Sequence, residues 1–122
     1  MSESTAQAAK KIRVALKESF PKLKFSVKCA PPFSMGEAIT VSIMKASEQI
    51  LKIGDYHNTN EYLLNQSYEE YLISTKGFLT EYGFNTVKEV YRVIGKVYSY
   101  DTRFSFLDVN VGQWDKPFVV VP

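Results

Sequence analysis

Ala9, Ile12, Leu16 and Phe20 recur at helical spacing with basic residues between them, which predicts an amphipathic helix over residues 5–20 that Pro21 stops. The period then changes. Leu23, Phe25, Val27 and Cys29 alternate with Lys22, Lys24, Ser26 and Lys28, the two-residue repeat of a half-buried strand with a lysine-rich outer face. Pro31, Pro32, Ser34 and Gly36 are turn formers, and beyond them Ile39, Val41 and Ile43 alternate with Thr40 and Ser42. These two runs predict an antiparallel hairpin with Phe25, Val27 and Val41 turned into a core beneath the first helix. Cys29 falls on that inward side, where a small apolar residue is the ordinary occupant.

The middle of the chain is less regular. Ser47 is suited to cap a short helix holding Ile50 and Leu51 and ending at Gly54, and Tyr62, Leu63 and Leu64 read as a short strand. Ser67 and Glu70 form a capping-box pattern that opens a helix through Tyr71, Leu72, Leu79 and Tyr82, with Gly83 as its stop. Asn85 then caps a second helix, whose Val87, Val90, Tyr91, Ile94, Val97 and Tyr98 make the cleanest helical stripe of the chain. Residues 104–111 and 118–121 are β-prone runs around a polar turn, which suggests a closing hairpin. The fold class expected is α+β: one two-layer domain over residues 1–122, a mostly antiparallel sheet with helices packed mainly on one face.

Composition supports a single core, since 122 residues with 45% hydrophobic and 23% charged positions match a globular domain. Cys29 is the only cysteine, so no intramolecular disulfide can form, and the reducing cytoplasm is the expected location. The polar amino-terminal residues lack the apolar stretch of a signal peptide, and no apolar run reaches the ~18 to 20 residues that span a bilayer. The net charge of +2 is modest but unevenly placed. Residues 1–30 carry seven cations against two carboxylates, an excess of +5, while the remainder carries −3. Lys10, Arg13 and Lys17 share one side of the first helix, and Lys22, Lys24 and Lys28 share one face of the first strand. Side by side they would form a positive patch able to bind a partner; the bland alternative is that they solvate an exposed face and guard a strand edge. Trp114, in the last turn, is a candidate interface anchor, with packing of that turn against the core as its competing role.

Candidate chemistry is sparse. A lone histidine, His57, excludes multi-histidine metal sites, so no metal or other cofactor is expected. Pairing of His57 with Cys29 as base and nucleophile has no support in their spacing, and His57 beside Asn58 reads as a polar loop residue. Glu69 and Glu70 are adjacent helix positions that point apart, as capping and solvation require rather than acid–base catalysis. The six glycines form neither a P-loop nor a dinucleotide fingerprint. The expectation is a protein that is not an enzyme.

Several segments together resemble a known family. Ile12-Arg13 to Leu16-Lys17, Phe20-Pro21, Lys24-Phe25-Ser26-Val27, and Ser34-Met35-Gly36 to Ile39-Thr40-Val41-Ser42 are similar to the amino-terminal part of a large polyvalent protein-associated domain. Asn58 to Tyr62 and Val111 to Phe118 resemble its later parts, whereas Ile43-Met44-Lys45 departs from the aromatic and acidic residues usual there. That family is carried by phages, plasmids and conjugative elements, often beside antirestriction modules. The resemblance implies no catalytic residues. It implies an element delivered by mobile DNA with no established biochemical activity for the domain itself; with catalytic motifs absent from the sequence, the leading expectation is a non-enzymatic macromolecule-binding protein, with inhibition of a host defence system of CRISPR or restriction type as one form of it. A nucleic-acid-binding accessory role for the basic patch is the alternative, and an unfamiliar active site the third reading.

Overall fold

The computed structural model describes residues 5–33, 36–59, 61–74, 77–98, 105–113 and 115–121. Helix α1 (Thr5–Ser19) leads into strands β1 (Lys24–Phe33) and β2 (Gly36–Ala46). After these come the short strand β3 (His57–Asn58), a 3-10 helix (Glu61–Asn65), helices α2 (Tyr68–Ser74) and α3 (Glu81–Val97), and strands β4 (Ser105–Val111) and β5 (Val119–Val120). This is the expected α+β domain, built on one sheet of order β1-β2-β4-β3 with β5 added on β2. Among the described residues no helix is long and apolar enough to cross a membrane.

The first hairpin follows its two-residue period. Phe25, Val27 and Cys29 stand opposite Ile43, Val41 and Ile39. Val27 and Val41 are buried with Ile12 and Leu16 of α1 in one core, and Phe25 packs half-buried against it. Cys29, at the same parity as Val27, is exposed rather than buried. β1 is the outermost strand, so its inward residues are covered only where α1 lies over them, and that cover reaches Val27 but not Cys29.

The sheet is mixed because β4 pairs with β2 in parallel, Val41 opposite Val109 and Ile43 opposite Val111. Among the described residues β4 and β5 do not pair with each other as a closing hairpin. After β4 the chain makes a short excursion and rejoins the same lane, so that β5 pairs in parallel with Lys45 and Ala46 at the end of β2. The β-prone runs were real, but their best partner is the buried strand β2 rather than each other.

Four middle elements also differ from the sequence pattern. Residues 50–52 form no helix, because their backbone is engaged by the approach to α3: Lys52 N–H donates to the Phe78 carbonyl at 2.8 Å and Thr80 N–H to the Ile50 carbonyl at 2.9 Å. Residues 62–64 lie in the 3-10 helix instead of a strand. The capping box does form, with Ser67 N–H bound to Glu70 and Glu70 N–H bound to the Ser67 hydroxyl, but α2 ends at Ser74. Gly77, at φ +68°, takes a left-handed conformation that a continued helix cannot contain. The next helix starts earlier than Asn85: Thr80 caps it by accepting from Gly83 N–H at 3.0 Å, and Gly83 is its third residue rather than a stop. Phe84 from that first turn meets Tyr68 and Tyr71 of α2, with ring centroids 5.5 and 5.0 Å away.

Candidate interaction surface

A cleft of about 530 Å³ lies between α1 and β1. Arg13 and Lys17 reach it from α1, Lys22 from the turn, Lys24 from β1 and Lys45 from β2. Its floor is apolar, formed by Pro21, Leu23, Phe25, Val27 and Val121. No carboxylate lines it among the described residues. Local sequence explains the convergence: Pro21 ends α1, and Leu23 N–H returns to the Phe20 carbonyl at 3.1 Å, closing a tight turn that lays β1 back along the helix. Arg13 is tied in place, its Nη2 donating to the Val27 carbonyl at 2.8 Å.

The six cations singled out by sequence thus divide. Arg13, Lys17, Lys22 and Lys24 gather around the cleft. Lys10 is exposed on α1 but does not line it. Lys28 shares sequence parity with Lys24 yet opens on a different hollow of about 290 Å³, with Thr40, Ser42 and Asn110. The pairing register jumps between Lys24, opposite Lys45, and Phe25, opposite Ile43, so the extra residue of this bulge is Met44 on β2. The same jump brings in Lys45, which sequence reasoning missed; its only signal was a cation at the end of a β-prone run. Trp114 lies outside the described residues.

The smaller hollow has a feature of its own. Asn110 is 8% exposed, and its Oδ1 has no hydrogen-bond partner among the described residues. Its wall includes Gln113, whose Nε2 donates to the Ser26 hydroxyl at 3.2 Å. Across the sheet, His57 is not a loop residue: it pairs with Val111 in β3 and stacks on Phe78 with ring centroids 4.6 Å apart. Burial alone lowers its pKa from the ordinary 6.5. Among the described residues no group of three or more His, Cys, Asp or Glu is placed to hold a metal ion.

The model of the family described as large polyvalent protein associated domain 29 matches residues 3–99. The chain belongs to that family. Membership of large polyvalent protein associated domain 29 points to a protein of phages or other mobile genetic elements. The matched stretch holds every cation of the cleft, whereas β4, β5 and the segment 111–118 lie beyond it. No curated protein and no solved structure matches the chain.

Proposed function

We propose that this domain is a non-enzymatic binding module whose α1–β1 cleft takes an acidic protein surface, and that its partner is a host defence effector of CRISPR or restriction type. The observation that carries the first part is the cleft itself: five cations around an apolar floor with no carboxylate among the described lining residues. A phosphate backbone would use the cations and leave the floor of Leu23 and Phe25 without a complement, whereas an acidic protein segment with an apolar side chain uses both. The defence effector rests on the mobile-element family alone.

The test is capture from host lysate with the intact domain and with a Lys24→Gln, Lys45→Gln variant, together with anisotropy on random duplex DNA over a salt series. The expected result is one protein retained by the native domain, weakened in the variant, with negligible DNA binding at physiological ionic strength. Submicromolar DNA binding, with a log-log salt slope of about −0.9 per phosphate contact that flattens by about two in the variant, would move the assignment to nucleic acid.

A further inference from the structure

The outer edge of β1 is unpaired among the described residues, because β1 ends the strand order. Two hydrogen bonds fix which of its backbone groups face outward. Gly112 N–H donates to the Ile43 carbonyl at 2.8 Å, so Ile43, and with it Val41 and Ile39 two and four residues back, turn their polar groups toward β4 and away from β1. Their partners Phe25, Val27 and Cys29 are therefore the non-bonded positions of the hairpin, with N–H and C=O directed off the sheet. The Arg13 bond to the Val27 carbonyl agrees, since the guanidinium reaches that carbonyl from outside the hairpin. Ser26 and Lys28, opposite Ser42 and Thr40, spend theirs on β2.

We infer that the acidic partner enters as an extended strand that pairs with the β1 edge over Phe25–Cys29, the backbone supplying affinity and the cleft reading the side chains. This rests on the acidic-partner reading above and adds the conformation of what is bound. Charge complementarity selects the occupant: the edge runs into the cleft walled by Arg13, Lys17 and Lys24, so a strand with carboxylates two residues to either side of an apolar residue, on its same face, places the apolar group on Phe25 and the carboxylates on the rim. Arg13 makes the exchange favourable. A strand N–H replaces it at the Val27 carbonyl, and the released guanidinium takes a carboxylate in a charge-assisted pair, so no buried polar group is left alone. In the absence of partner the same arginine and lysines keep the edge from pairing with further copies of itself.

The probe is a blocked peptide whose cleft-facing alternate positions read glutamate, valine, glutamate, with threonine at the positions between, added to the whole labelled domain and followed by residue-resolved amide exchange. Exchange at Phe25, Val27 and Cys29 should slow at least tenfold on saturation, while Ser26 and Lys28, already bonded to β2, change little. Methylating the peptide nitrogens at alternate residues should weaken binding at least tenfold in one of the two possible phases and leave the other phase nearly unaffected. Binding that leaves the Phe25, Val27 and Cys29 amides unprotected would overturn strand addition yet leave the acidic-partner reading standing. Failure of this peptide and of a flexible glutamate-rich peptide without valine to bind at all would overturn both.

Discussion

Replacing Gly83 by alanine should destabilise the domain, although the same exchange inside a helix ordinarily stabilises by about 1 kcal/mol. Gly83 lies in the first turn of α3, where a Cβ would stand 2.3 Å from the Ile50 carbonyl oxygen and 2.9 Å from the Ile50 Cα. Backbone cannot rotate aside as a side chain can. Relief requires α3 to lift from residues 50–52, which strains the Thr80 N–H bond to that same Ile50 carbonyl and the cap that Thr80 gives to Gly83. Overpacking of this kind costs about 1 to 3 kcal/mol, and for a domain of this size each kcal/mol moves the midpoint by about 4 °C. Gly95 is the internal control: it lies exposed in the same helix, with nothing within 4 Å of a Cβ, so Gly95→Ala should raise stability by about 0.5 to 1 kcal/mol. Paired urea and thermal melts read both. A Gly83→Ala variant as stable as the native domain, or stabilised like Gly95→Ala, would refute the close approach of α3 to Ile50.

Two further outcomes follow from side chains on the sheet. Burial holds the His57 pKa below 6.5, so the unfolded chain binds a proton more readily than the folded one; the stability this histidine permits is complete above pH 6.5 and is lost as pH falls from there through the lowered native value. Urea titrations from pH 7.5 to 5 should show a decline that a His57→Gln variant lacks, and parallel profiles would refute it. Asn110 carries a buried Oδ1 without a partner among the described residues, so Asn110→Val should be neutral or stabilising in denaturant melts; a loss above about 2 kcal/mol would mean that the amide is satisfied in solution.

What the sequence made legible follows from how local each signal is. The first helix and hairpin carry their periods within themselves, so α1, β1, β2 and the inward set Val27 and Val41 could be read directly. So could the capping box of Ser67 and Glu70, four residues long. The start of α3 could not, because Gly83 is chosen by Ile50 across the fold rather than by its neighbours in the chain. The parallel pairing of β4 was equally hidden: residues 105–111 have the same β-prone composition whether they turn back on themselves or join β2. For the candidate surface, four of the six cations named from the sequence line one cleft, since one helix face and one strand start suffice to bring them near. Lys45 enters the cleft beside a register jump that alternating hydrophobicity does not record.

The position of β4 also governs the order in which the domain can be made. Its valines fill the lane beside β2, yet all of β3, α2 and α3 are translated between the two strands. A nascent chain that has completed its hairpin and helices still holds the inner edge of β2 open, with Ile39, Val41 and Ile43 short of their neighbours. Parallel, long-range pairing of this kind is entropically slow to close. Until β4 arrives, that edge is the place where a second nascent chain could pair instead, so the domain is most exposed to misassembly late in its own synthesis, after most of its secondary structure is already present.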